Sequence, residues 1–298
     1  MSTSQLLRFT TENISPEARV HLWEGHNARA LIPLDIRTLD EQPMRSRQTN
    51  LQLPSIRMAD VTGTSQIVER SESFIREHPT GVVAVFFALE GEAFFFHRGG
   101  HLTLQPGQAV LYDADLPFTR GFSRGLREVV LTIPRERYRE MAGPLGPPLP
   151  AVFDFSAQGG THEQALARLV LRTLTQVSGP EPTLDPARTE GDALALLRLI
   201  LGRRDDEAGF LASAKQFIDR HLTDRELTAG RVAAAVGLSE RQLSRHFAGD
   251  GTSLGRYVQG QRVRLAQEML RDPDRQGLSV AEVAARCGFA SQSHFGRV

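Results

Sequence analysis

Three sets of side chains in this 298-residue sequence have the types and spacing to do chemistry. Cys287 is the only thiol. A single cysteine excludes an intramolecular disulfide and any multi-cysteine metal site. It falls in a turn at an apolar position, so a buried small hydrophobe is expected, and a redox role would need a resolving partner. His97 and His101 enclose the segment HRGGH. Histidines can enter a metal site, but this segment reads as a Gly-Gly turn and no third ligand accompanies it. No metal and no cofactor are therefore expected. The third set is Arg241, Ser244 and Arg245. Leu243 and Phe247 lie at i and i+4 and face a core, which sends these three residues to the opposite side of a helix. Such a face presents guanidinium forks and a hydroxyl to whatever lies outside. No Ser-His-Asp, P-loop or dinucleotide signature is present.

The elements that must hold that face belong to an internal repeat with an offset of about 51 residues. LTAGRVAAAVGLS (Leu227–Ser239) aligns with LSVAEVAARCGFA (Leu278–Ala290). Each copy has the grammar of a helix-turn-helix. Thr228 or Ser279 caps the first helix, and Ser279 with Glu282 forms a capping box. Val232 or Val283 faces inward, beside an Ala233 or Ala284 that must be small where a second helix crosses. Gly237 or Gly288 supplies the left-handed turn. Leu238 or Phe289 plugs the gap between helices. Ser239 opens the next helix with its own capping box to Gln242. Between the copies, Ser253–Arg271 makes a helix of about 19 residues and roughly 28 Å. Two units so joined can reach successive major grooves of a duplex, about 34 Å apart.

The rest of the chain reads differently. Its length suits two domains, and 40% apolar with 23% charged residues suits a globular protein. From Ala30 to Pro134 short strands alternate with Gly, Pro and Asp, predicting a closed or sandwich-like β structure. Val82–Leu89 and Ala93–His97 predict a hairpin centred on Gly91. Phe86, Phe87, Phe94, Phe95 and Phe96 fall on both faces of these strands, as ligand lining or as core. GPLGPPLP (Gly143–Pro150) cannot be a regular element. Two helical segments follow, His162–Val177 and Ala187–Leu201, which either pack on their own domain or form a dimer contact. Gly202–Gly209 reads as a linker. From Glu207 onward there are 13 Lys and Arg against 10 Asp and Glu, so the net-zero chain is positive at its C-terminal part and negative elsewhere. No secretory signal and no membrane-length apolar run is visible, which predicts the cytoplasm.

Phe217–Val298 resembles the AraC/XylS family of bacterial transcription regulators in order, spacing and turn residues. The resemblance implies an α+β protein with an N-terminal cupin-like β-barrel, a helical pair and a C-terminal all-α double helix-turn-helix domain. LQPGQAVLYDADLPF (Leu104–Phe118) is similar to the family's turn-plus-strand signature in the barrel. The implied division is 1–143 for effector sensing, 144–206 for the helical pair and linker, and 207–298 for DNA binding. Arg241, Gln242, Ser244 and Arg245 fall at the DNA-contacting positions of the first unit, and Gln292, Ser293, His294 and Arg297 at those of the second. Arginine pairs with guanine O6 and N7, and glutamine with adenine. Implied partners are double-stranded promoter DNA, a small organic effector, RNA polymerase and a second copy of the chain. The implied function is an activator responding to a metabolite. The family pattern continues beyond the position of Val298 with a closing helix. Its absence here implies that Phe289, Phe295 and Val298 are short of partners, that Leu278–Val298 is frayed, and that DNA affinity is weak. Two other readings stand beside this one: a metal-dependent cupin enzyme with an accessory helical domain, and a truncated regulator without function.

Overall fold

The computed structural model describes residues 5–39, 42–122, 125–143, 146–179, 184–202, 207–271 and 280–289. The chain forms two units, Met1–Arg204 and Asp205–Val298.

The first unit is built on two antiparallel sheets. The larger has seven strands in the order β1 (Gln5–Thr10), β3 (Ser46–Gln52), β4 (Arg57–Gly63), β11 (Leu126–Pro134), β6 (Val82–Glu90), β9 (Gln108–Asp113) and β12 (Ala151–Asp154). The smaller has the order β2 (Asp35–Thr38), β5 (Gln66–Arg70), β10 (Phe118–Phe122), β7 (Ala93–His97) and β8 (Gly100–Leu104). The core between them gathers Trp23, Phe86, Phe95, Tyr112, Phe118 and Phe122. The β6 run VVAVFFAL is apolar on both faces because it is covered on both. Phe86 faces the core between the sheets, and Phe87 lies against Leu166 and Leu197 of the helices outside. Those helices are α4 (Thr161–Ser178) and α5 (Pro186–Ile200), so the helical pair packs on its own domain. The remaining helices of this unit are α1 (Arg19–Ala30), α2 (Glu72–Glu77) and α3 (Arg135–Ala142).

The expected hairpin of Val82–Leu89 with Ala93–His97 does not form. Gly91, with φ of 79°, turns the chain out of the large sheet and into the small one. There β7 pairs with β10 and β8, while β6 pairs with β11 and β9. Two strands that each bury aromatic side chains gain more by facing one another across a core than by lying edge to edge. Phe86, Phe87 and Phe95 are buried, whereas Phe96 is exposed. An ion pair crosses the apolar core, Arg120 with Glu128. Burial opposes the Arg120 charge, but Glu128 and Tyr112 more than compensate and keep it protonated. The guanidinium also lies 4.5 Å from the Phe86 ring centroid.

The second unit is helical, with α6 (Glu207–Arg220), α7 (Ala229–Ala235), α8 (Glu240–Gly249), α9 (Leu254–Arg271) and α10 (Val280–Arg286). The linker expected over Gly202–Gly209 is shorter than its composition suggested: Glu207–Gly209 already belongs to α6. A glutamate in a helix's first turn complements the dipole there, so a polar stretch can open a helix rather than precede it. Among the described residues no helix is long and apolar enough to cross a membrane.

Candidate nucleic-acid interface

The first helix-turn-helix assembles as its residues dictate. Thr228 accepts a hydrogen bond from the Arg231 amide and caps α7. Val232 and Ala233 are buried, and the Leu238 amide donates to the Ala233 carbonyl as the chain turns. Gly237 makes that turn at φ 71°, which only glycine adopts without strain. Ser239 then opens α8 with a complete capping box. Its Oγ accepts from the Gln242 amide, and the Gln242 Oε1 accepts from the Ser239 amide at 2.9 Å. Such a cap is worth about 1 kcal/mol. Leu243, His246 and Phe247 form the inner side of α8, packed with Val232, Val236, Ile218 and Val258.

That packing leaves Arg241, Ser244 and Arg245 exposed on one side of a capped helix. Gln242 is exposed too, but its oxygen is committed to the cap. Arg245 reaches Glu207 of α6 at 3.4 Å, with both side chains mostly in solvent. An ion pair that exposed is worth little and yields readily to another anion. Lys215, the only lysine of the chain, is buried and holds Asp250 at 2.6 Å, tying α6 to the end of α8.

The second copy repeats the plan in different surroundings. Val283, Ala284, Cys287 and Phe289 form a core with Ala266 and Met269 of α9. Gly288 turns the chain at φ 82°. Phe289 is therefore not short of partners as expected; it is 2% exposed and packs with Ala266 and Met269 of α9. Cys287 is fully buried, with its Sγ 3.7 Å from the Met269 sulfur, and burial pushes its thiol up from the ordinary value. Ser279, Gln292, Ser293, His294, Phe295, Arg297 and Val298 lie outside the described residues, as does the Ser279–Glu282 box.

Two residues that matter here were not singled out from the sequence. Arg262 of α9 donates from Nε to the Leu222 carbonyl and from Nη2 to the Asp224 carbonyl, joining the long helix to the loop before the first helix-turn-helix. Nothing in the repeat signals it, since it lies between the copies. Glu207 falls in the polar stretch whose composition predicts a linker. Elsewhere, His97 accepts at Nδ1 from the Gly99 amide within its own turn, and His101 is exposed beside Phe96. Among the described residues no group of three His, Cys, Asp or Glu is placed to hold a metal ion.

A β domain with a helical pair, followed by a helical unit whose α8 turns two arginines outward, defines a DNA-binding transcription regulator rather than an enzyme. Residues 23–202 match the AraC-binding-like domain family and residues 232–298 match a helix-turn-helix domain family. The chain belongs to the AraC/XylS family of transcription regulators. Its relatives include the transcriptional activator NphR of a Rhodococcus species, 25% identical over 82% of this chain and 73% of that protein. An uncharacterized protein from the nit 5' region of Bacillus sp. strain OxB-1 is 25% identical over 76% of this chain and 90% of its own length. Among solved structures, the AraC-like transcriptional activator CuxR shares the fold, with a TM-score of 0.55 and 16% identity, covering 88% of this chain and 95% of that one.

Proposed function

We propose that this regulator is an activator that reads promoter DNA with α8 and responds to a small organic metabolite held by its β domain. The observation that carries the DNA reading is the exposed set Arg241, Ser244 and Arg245 on a helix whose inner side is locked by Leu243 and Phe247. Arg245 grips a guanine through O6 and N7, Arg241 and Ser244 extend the contact, and Gln242 offers its amide to the backbone or a base. Gln292, Ser293, His294 and Arg297 take the corresponding part in the second unit. The direction of regulation is supported by the similarity to an activator, NphR.

The sensing role belongs to 1–143, the helical pair and linker to 144–206, and DNA binding to 207–298. The effector is bound without a metal. RNA polymerase and a second copy of the chain are the protein partners, and the setting is the cytoplasm. The test of base reading is Arg245→Ala. It should cost about 1–3 kcal/mol of DNA binding, concentrated on one base position. Uniform weakening across operator variants would reduce Arg245 to a phosphate contact. Stoichiometric metal in purified protein, lost in the His97→Ala, His101→Ala double variant, would overturn metal-free sensing.

A further inference from the structure

The last inward-facing row of the large sheet differs in chemistry from the row beneath it. Gln52, Arg57 and Thr132 are register partners across β3, β4 and β11, so their side chains share one face. One row deeper the only polar partner is Asn50, already held by His26, and it is followed by Ala59, Val130 and Phe86 of the apolar core. The polar row borders a cavity of about 400 Å3, within the usual range for small-molecule sites. The walls add the apolar Leu31, Pro33, Pro54 and Val82 and the uncharged Ser55, Thr80 and Gly81. Arg57 donates from Nε to the Gln52 side chain at 2.7 Å and from Nη1 to the Leu31 carbonyl at 3.4 Å. Among the described residues no carboxylate pairs with it, and its Nη2 donates to nothing. A half-buried guanidinium facing neutral walls is one anion short of a charge-assisted pair.

We propose that this cavity binds a small organic monocarboxylate, with its carboxylate on Arg57 and its apolar body against Leu31, Pro33 and Val82. This rests on the reading of the β domain as a sensor. The same turn that leads into Arg57 also provides the way out for the signal. Ser55 lines the cavity, and Glu190 of α5 holds it twice: the Ser55 amide donates to Oε2 at 2.7 Å and its hydroxyl to Oε1 at 2.6 Å. Arg137 donates to both Ser55 Oγ and Glu190 Oε1, which neutralises Glu190 and keeps it from opposing a bound carboxylate. Glu190 is 6% exposed, so its carboxylate is shielded from solvent, while Arg137 reaches it from the surface. A ligand that draws Arg57 inward favours one setting of the Leu53–Ile56 turn and, through Ser55, one setting of α5.

The test is titration of the full 298-residue chain with hexanoate and phenylacetate, against hexanamide and phenylacetamide as uncharged controls. The carboxylates should bind at least about tenfold more tightly than the amides, as expected for a charge-assisted pair. Arg57→Gln should abolish that preference, and Arg57→Lys should retain it, which separates lost charge from lost folding. Glu190→Gln should still bind the carboxylates but lose the ligand-induced change in hydrogen exchange over 186–200. Equal affinity for acids and amides, or a preference that survives Arg57→Gln, overturns the proposal. So does the absence of carboxylate binding. In those cases a promoter response to some neutral or cationic molecule would leave the sensor reading standing, and no response to any small molecule would remove both.

Discussion

The two helix-turn-helix copies share their grammar and differ in what surrounds it. Gly237 and Gly288 both turn at positive φ. A Cβ on Gly237 would meet nothing within 4 Å, whereas one on Gly288 would lie 2.9 Å from the carbonyl oxygens of Leu222 and Thr223. The first glycine is required by conformation alone, and the second by conformation and by close approach to the turn that follows α6. The plug residues differ likewise. Leu238 is only partly buried, while Phe289 is covered almost completely. The first copy closes its core with α6 and the start of α9, and the second with the later turns of α9. Leu265 packs against both cores, so the long helix is a shared wall as well as a spacer. A repeat in sequence thus specifies a local turn, and each copy takes its neighbours from its place in the fold.

The largest test of this difference removes one core aromatic from each copy. Phe247→Ala and Phe289→Ala should each cost about 3–5 kcal/mol. Hydrogen exchange should place the first loss on amides of 232–236 and the second on amides of 283–287. If either variant deprotects both segments equally, the copies form one cooperative block through α9. In the unaltered chain the two segments should be protected to similar degrees, because Val232, Ala233 and Val236 are as fully buried as Val283, Ala284 and Cys287.

The glycines give the next effect. Gly237→Ala should cost about 1–2 kcal/mol, the price of a left-handed alanine. Gly288→Ala should cost more, about 2–3 kcal/mol, because the backbone must also move away from two carbonyls. Chemical denaturation of the single variants checks the order, and equal costs would mean that the close approach relaxes freely.

Loss of the Ser239 cap should cost about 1 kcal/mol in Ser239→Ala. It also frees the Gln242 oxygen, so DNA affinity should fall with stability while base preference at Arg245 is kept. A changed base preference would mean that the cap orients the helix rather than only stabilising it.

The smallest perturbation is chemical labelling of Cys287, the only thiol in the chain. Burial both blocks access and disfavours the thiolate, so labelling should be slow at neutral pH and accelerate in sub-denaturing urea. Moving the thiol to the matching position of the first copy, as Val236→Cys with Cys287→Val, should give similarly slow labelling. Fast labelling at Cys287 alone would show that the second copy opens independently.

The helix-turn-helix was legible because each of its signals is local. Thr228, Ser239 and Gln242 act on amides three residues away, and Gly237 acts on its own φ. The division of the β strands between two sheets was not legible. Val82–Leu89 and Ala93–His97 carry strong strand patterns and a turn between them, and that pattern is the same whether the strands pair or part at Gly91. The β12 strand escaped notice because four residues after a proline-rich stretch carry too little alternation.

By itself, then, the sequence determined the class of each half, the caps, the turns and the outward face of α8. Those follow from short-range periodicity and hydrogen bonding that any neighbour must accept. Only the tertiary structure decided that Phe289 is covered by α9, that Arg262 binds the carbonyls at Leu222 and Asp224, and that Arg57 lines a cavity whose wall Ser55 is held by Glu190. Each of these joins residues far apart in the chain. No local rule distinguishes Arg57 from the many other arginines, because its meaning lies in the neutral walls that folding places around it.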